Sequence, residues 1–218
     1  MAGHLIKVHI GKRIIKPHQN TWRLLVKRWA DILNKYLKRE NEEDIPQWHI
    51  ERSHTGFLAA AVWTMGGVAL EEYAVERRPA KNRRRRKAHA PGRCDLYFNV
   101  SNLNCSIEAK HDWAEGTPQE RIKRIKRKLN LASKQLQDLH PKEQAEAGMA
   151  VCWVVPYLKS DGKNHVEFLK EIAGKFEDDT SIVAIYHVPI KEREYCEDKY
   201  DKGHTYPGVI WVGRQQWA

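Results

Sequence analysis

The segment that decides the fold is residues 92–110, which read GRCDLYFNVSNLNCSIEAK. It contains two apolar-rich stretches, 93–100 and 105–110, separated by a short turn over 102–104. Stretches of this kind predict strands, and the short connection predicts that the two strands pair. Residues 68–75 form a similar stretch upstream, so the sequence predicts a three-stranded meander.

Charged residues recur on the last two of these strands with a spacing that places them on one surface. Side chains alternate in direction along a strand, which puts Asp95 on the face opposite to Cys94 and Leu96. By the same rule Glu108 and Lys110 share a face, roughly 6–7 Å apart along the strand. Pairing of the two strands would bring Asp95 close to both of them.

Two carboxylates and an ammonium group on one surface are costly unless they bind a ligand, because close carboxylates raise each other's proton affinity. A hard divalent cation relieves this repulsion, and Mg²⁺ prefers oxygen ligands. Such an ion acidifies a bound water and polarises a phosphoryl oxygen, while Lys110 can orient the water or steady developing negative charge. The simpler interpretation is a surface ion pair between neighbouring strands.

Apolar periodicity elsewhere in the chain predicts four helices and three more strands. The helices are expected at 20–38, 50–65, 118–139 and 165–177, and the strands at 150–155, 181–188 and 209–212. Elements in this order predict a mixed α/β sheet with helices on both faces.

The pattern of Asp95, twelve intervening residues and then Glu108, Ala109 and Lys110 resembles the motif of the restriction-endonuclease-like, PD-(D/E)XK, nuclease superfamily. The predicted order of elements also resembles the αβββαβ core of that superfamily, over about residues 50–156. We therefore expect a nuclease domain over residues 46–218, preceded by an N-terminal helical accessory segment over residues 1–45. The position before the aspartate is a departure, since it holds a cysteine where the motif has proline.

The resemblance implies Mg²⁺-dependent hydrolysis of phosphodiester bonds, usually in DNA, with Mn²⁺ as a substitute ion. It implies that Asp95 and Glu108 are metal ligands and that Lys110 assists the attacking water. RNA is an open alternative as substrate, and cleavage of both strands of a duplex would favour a homodimer.

Residues on the neighbouring helices are also implied by the resemblance. Many members add a glutamate from the helix before the first strand. Glu51 is the best match for it, with Glu71 or Glu72 as weaker choices. Many members carry a glutamine in the helix after the third strand, which Gln135 matches.

Positive charge is concentrated in two parts of the chain. The sequence has 38 Lys and Arg against 28 Asp and Glu, a net charge of +10. Residues 77–87 carry +8 and residues 118–139 carry +5, which leaves −3 for the rest. This distribution is typical of a nucleic-acid-binding face, although a solvated charge run or a localisation signal is the simpler interpretation. The predicted binding residues are Arg77, Arg78, Lys81, Arg83, Arg84, Arg85, Arg86, Lys87, Arg121, Lys123, Arg124, Arg127 and Lys128.

Composition bounds the class of protein. The sequence has no apolar run near 20 residues and no secretory leader, so no membrane partner is expected. Its four widely spaced cysteines predict reduced, buried thiols in a cytoplasmic protein. The alternative from another class is a non-catalytic nucleic-acid-binding or assembly module on the same fold.

Overall fold

The computed structural model describes residues 3–40, 49–78, 90–159, 164–188 and 204–217. These residues form four α-helices and nine strands. The helices are α1 (Lys16–Arg39), α2 (Glu51–Thr64), α3 (Pro118–Gln137) and α4 (His165–Gly174). The strands are β1 (His4–Ile10), β2 (Val68–Arg77), β3 (Ala90–Val100), β4 (Leu103–Asp112), β5 (Ala147–Val154), β6 (Leu158–Lys159), β7 (Ser181–His187), β8 (His204–Thr205) and β9 (Gly208–Trp217).

Seven of the strands form one mixed sheet in the order β1-β7-β9-β5-β4-β3-β2. Neighbouring strands are antiparallel, except that β4 and β5 are parallel. The predicted meander is present as β2, β3 and β4. The α/β class predicted from the order of elements is therefore confirmed.

Helices cover both faces of this sheet. The α1 and α2 helices pack on one face, where Trp29 and Leu58 meet Leu96 and Trp153. The α3 and α4 helices pack on the other face, and every residue of β5 between the two layers is buried. A parallel strand covered on both faces is expected to be apolar throughout, as β5 is. None of the described helices is long and apolar enough to span a membrane.

The N-terminal part of the chain is built into the same core. The unpredicted strand β1 pairs with β7 and completes one edge of the sheet. On α1, the ring of Trp29 stacks on Trp153 at 5.7 Å and meets Trp211 edge-on at 5.7 Å. From the sequence alone a helical accessory segment is expected here, because an amphipathic stripe shows that a helix is packed but not what it packs against.

The start of β3 also differs from the prediction. Pro91 and Gly92 precede the stretch 93–100 that the sequence predicts as a strand, but they lie in β3, opposite Glu76 and Val75 of β2. Proline is tolerated at this position because β3 pairs with β4 only from Leu96 onward, so the other edge carries no ladder bond there.

Candidate active site

Acidic side chains from two elements meet the ammonium group of Lys110 on β4. The Lys110 Nζ atom lies 3.6 Å from Glu51 Oε1, which comes from the first turn of α2. It lies 3.7 Å from Asp95 Oδ2, which comes from β3. The same Nζ donates a hydrogen bond to the carbonyl of Ala109. Three of the residues predicted from the sequence are thus brought together.

Asp95 lies where β3 separates from β4. The last ladder pair between these strands is Leu96 with Ile107. Beyond it, Asp95 Oδ2 accepts a hydrogen bond from the backbone N–H of Ala109 at 2.7 Å. On the other side, Glu72 of β2 has a positive φ of 46°. The Asp95 side chain therefore takes the place of a ladder carbonyl, which holds its carboxylate beside Lys110.

The alternation predicted for β3 is interrupted at the same point. Leu96 packs in the cluster under α1 and α2, whereas Cys94 packs with Ala132 and Leu136 of α3. The prediction that Cys94 and Leu96 share a face was wrong, because alternation holds only while a strand stays regular.

The thiols of the described cysteines have no reactive character. Cys94, Cys105 and Cys152 are free and buried, which agrees with the prediction for these three. Burial raises the pKa of the Cys94 thiol to about 12, and the thiol donates to the Ile107 carbonyl at 3.3 Å. A protonated thiol is a poor nucleophile and a poor metal ligand.

Glu108 is the most deeply buried carboxylate of the group. Its side chain is 1% exposed, and the guanidinium of Arg77 donates to Oε1. The other oxygen, Oε2, is buried and has no hydrogen-bond partner among the described residues. Burial raises the pKa of Glu108 to about 7, with Asp95 acting in the same direction and Arg77 opposing it. Close to neutral pH this carboxyl group therefore has little preference between its protonated and ionised forms.

Glu51 is held in place by a chain of contacts that reaches the centre of the sheet. Its backbone carbonyl accepts from the Thr55 hydroxyl at 2.9 Å, and that hydroxyl accepts from the indole N–H of Trp153 at 3.3 Å. Burial raises the pKa of Glu51, and the positive charge of Lys110 opposes the rise. The first turn of α2 is thereby anchored to β5.

The weaker glutamate candidates do not reach this group. Glu72 pairs with Arg52 at 3.3 Å and with Arg93 at 3.2 Å, on the outer part of β2. Glu71 is exposed on the same strand. Of the three glutamates considered from the sequence, the structure places Glu51 against Lys110.

Helix α3 brings Gln135 and Lys128 to the same region. The Gln135 carbonyl accepts from Arg77 at 2.7 Å, and its side-chain Oε1 is buried without a partner in the described part of the chain. Lys128 lies two turns earlier, on the same side of the helix. Its positive charge opposes the rise in the pKa of Glu51 that burial causes. Burial lowers the pKa of His111 to about 4, and the charge of Lys128 acts in the same direction. Lys128 therefore lies near the carboxylates.

Arg77 belongs to this site, although the sequence indicated a different role for it. It was grouped with the arginine-rich run as a nucleic-acid contact. The structure places it at the end of β2 with its side chain 17% exposed and bound to Glu108. Tyr73, Val75 and Arg77 stand two residues apart, a spacing that could have indicated an inward side chain, but the neighbouring cations in the sequence concealed it.

The other predicted nucleic-acid-binding residues differ in their surroundings. Lys81, Arg83, Arg84, Arg85, Arg86 and Lys87 lie outside the described residues, whereas Arg78 is described and exposed. Arg124 forms a bidentate ion pair with Asp112, in which Nε donates to Oδ2 at 3.2 Å and Nη2 donates to Oδ1 at 3.1 Å. Arg121 covers the Phe168 ring at 4.6 Å, and with Lys123 and Arg127 it lines a groove between α3 and α4.

The carboxylates suit a cation that keeps most of its own water. Among the described residues, no group of three or more His, Cys, Asp or Glu side chains is arranged to hold a metal ion. Mg²⁺ is commonly bound through one or two carboxylates with retained waters, and it does not need a full protein cage. The carboxylate oxygens of Asp95 and the unpartnered Oε2 of Glu108 are the oxygen atoms that could hold such an ion.

Comparisons of the chain with protein-family models, with curated proteins and with solved structures gave no match. The function is therefore argued from the geometry of the site.

Proposed function

We propose that this protein is a metal-dependent nuclease that hydrolyses phosphodiester bonds, with DNA as the first candidate substrate. The observation that carries the proposal is the meeting of Glu51, Asp95 and Lys110 at distances below 4 Å. Glu108, buried and with one free carboxylate oxygen, belongs to the same electrostatic group. Close carboxylates and a lysine on adjoining strands suit the hydrolysis of a phosphate ester, because the reaction needs both a cation and a positioned proton donor.

The order of elements supports a restriction-endonuclease-like core. The chain passes through α2, the meander β2-β3-β4, α3 and then β5. This is the αβββαβ order, and it spans the region proposed from the sequence. Asp95 lies on the second strand of that core, and Glu108 and Lys110 lie on the third, as in the motif.

Each residue has a part that follows from its contacts. Asp95 and Glu108 would hold Mg²⁺, which when bound acidifies a water and polarises the phosphate. Lys110 provides donors for the attacking water or for the negative charge that develops on phosphate. Glu51 forms an ion pair with Lys110 and so limits the directions in which the ammonium group of Lys110 can point.

A non-catalytic nucleic-acid-binding module is favoured by one specific observation. The carboxylates already have internal cations as partners, since Arg77 is bound to Glu108 and Lys110 lies between Glu51 and Asp95. A purely structural ion-pair network would also have this arrangement. Such a module would bind nucleic acid without cleaving it.

The test is incubation of the full chain with supercoiled plasmid, linear duplex, single-stranded DNA and RNA, each in Mg²⁺, in Mn²⁺ and in EDTA. We expect cleavage of at least one substrate in Mg²⁺ or Mn²⁺ and none in EDTA, because the proposed site has no other electrophile of comparable charge. The Glu108→Gln variant serves as the control for a contaminating nuclease. Undiminished cleavage in excess EDTA would contradict the metal mechanism, and binding without cleavage in every condition would favour the module.

A second prediction concerns the exposed cations of α3. Replacing Lys123 and Arg127 together by alanine should weaken binding to all DNA sequences alike. It should also reduce the log–log salt slope by roughly one unit for each lost phosphate contact. The matched control replaces Lys38 and Arg39, an exposed pair at the end of α1 on the opposite face of the sheet. Equal effects of the two double variants, measured by equilibrium titration at several salt concentrations, would show that α3 makes no specific phosphate contact.

A further inference from the structure

The guanidinium group of Arg77 is held by acceptors from three different elements. It donates to Glu108 Oε1 on β4, to the carbonyl of Gln135 on α3 at 2.7 Å, and to the carbonyl of Arg93 on β3. A guanidinium is planar and carries its donors in a rigid fork. Three acceptors in different directions therefore fix both its position and its orientation.

This anchoring determines how Glu108 can be used. Its Oε1 atom is bound to Arg77, and its Oε2 atom is buried with no partner within the described ranges. Oε2 is therefore the oxygen of Glu108 that has its full capacity to accept a new contact. In metal sites the ligating carboxylates are themselves held by a second layer of hydrogen bonds, which orients them toward the ion.

We propose that Arg77 is a positioning residue that binds one oxygen of Glu108 and thereby presents the other oxygen to a divalent cation. This inference rests on the proposed function, because it takes Glu108 to be a ligand. It assigns to Arg77 a role that differs from contact with the phosphate backbone.

Charge and geometry make opposite predictions for Arg77. A positive group beside a metal site repels the ion, so loss of the charge alone would strengthen metal binding. Loss of the orientation would weaken it, typically about 10–100-fold for a residue in this second layer. Two of the three acceptors of Arg77 are backbone carbonyls, and these contacts do nothing to neutralise Glu108. The contacts of Arg77 therefore favour a role in orienting Glu108 over a role in neutralising its charge.

The experiment is a titration of the full chain with Mn²⁺ in the absence of nucleic acid. Binding is measured by calorimetry and by the electron paramagnetic resonance signal of free Mn²⁺. The variants are Arg77→Met and Arg77→Lys, of which the second keeps the charge without the planar fork. Arg93→Met is the matched control, because it removes an exposed arginine side chain but keeps the carbonyl that Arg77 uses. We expect both Arg77 variants to bind Mn²⁺ about 10–100-fold more weakly and Arg93→Met to bind like the parent.

A double-variant comparison separates positioning from a general structural effect. In a Glu108→Gln background the Arg77→Lys change should have little further effect on Mn²⁺ affinity, because the group that Arg77 orients is no longer a full ligand. If Arg77→Met does not fold, as judged by thermal melting, Arg77→Lys carries the test.

The outcomes are distinct. Parent-like or tighter Mn²⁺ binding by a folded Arg77→Lys variant would overturn the inference and leave the proposed metal site intact. An equal loss in the Glu108→Gln background would also overturn it, since Arg77 would then act independently of Glu108. A parent protein that binds no Mn²⁺ would overturn the proposed metal site and the inference together.

Discussion

Replacing Lys110 by alanine is expected to lower kcat by about 10²–10⁴-fold while DNA affinity stays within a few-fold of the parent. The ammonium group lies between Glu51 and Asp95 at the centre of the carboxylate group, where a reacting phosphate would be bound. Its contribution would be made mostly in the transition state, when negative charge develops. The extended surface of the substrate would still be held by cations elsewhere on the chain.

A loss of turnover without a loss of DNA affinity is also expected when either of the two proposed metal ligands is replaced. Asp95→Asn and Glu108→Gln keep the size of the side chain but remove the charge that holds the cation, so turnover should fall with little change in binding. Single-turnover cleavage and equilibrium binding in EDTA measure the two quantities independently. Lys170→Ala, which removes an exposed lysine paired with Glu167 on α4, is the control. A Lys110→Ala variant with parental turnover would show that the resemblance of this segment to a nuclease motif is a coincidence.

Replacing Trp29 by alanine is expected to lower the free energy of unfolding by about 3–5 kcal/mol. The ring is fully buried on α1 and contacts Trp153, Trp211 and Tyr186. Its removal would leave a large cavity between the helix and the sheet. Since the whole stability of a domain is typically about 5–15 kcal/mol, much of the protein should unfold under mild denaturant.

Urea unfolding of Trp29→Ala and Trp63→Ala provides the measurement. Trp63, at the end of α2, is 56% exposed, so its loss should change stability by about 0.5 kcal/mol or less. If the two variants unfold at the same urea concentration, α1 is an accessory layer, as the sequence alone suggested. A large difference would show that the N-terminal helix is part of the hydrophobic core of the sheet.

The parts of the site that could be predicted from the sequence depend on local geometry. Glu108 and Lys110 share a strand, and alternation was enough to place them on one side of it. A short turn connects that strand to the one with Asp95, so the approach of Asp95 to Lys110 could be predicted, although the two strands no longer pair at that point. Glu51 was identified through the resemblance, as the best match for the glutamate that many members of the superfamily carry on the helix before the first strand. The resemblance to a known motif added the expected roles.

The parts that could not be predicted depend on side chains that act over long distances. The Asp95 carboxylate replaces a hydrogen bond of the ladder between β3 and β4. The alternation of β3 breaks at this point and Cys94 lies on the other face, but no residue type in β3 indicates this break. Arg77 reaches Glu108 across 31 residues of sequence, and its inward direction is set by carbonyl groups on two other elements. Strand β1 could not be predicted because it is an edge strand whose residues are mostly half-buried, so its sequence shows no clear alternation of apolar and polar residues.

The position of β9 has a consequence for how the chain emerges from the ribosome. This strand comes after all the other described elements, yet it lies in the middle of the sheet between β5 and β7. Until its residues leave the exit tunnel, the nascent chain can pair β2 through β5 and β1 with β7, but it cannot join the two halves. Both inner strands, β5 and β7, are buried at every residue in the finished protein and are therefore unusually apolar edges during this interval. The residues proposed for catalysis all belong to elements from α2 to α3, so they are synthesised well before the strand that joins the two halves of the sheet.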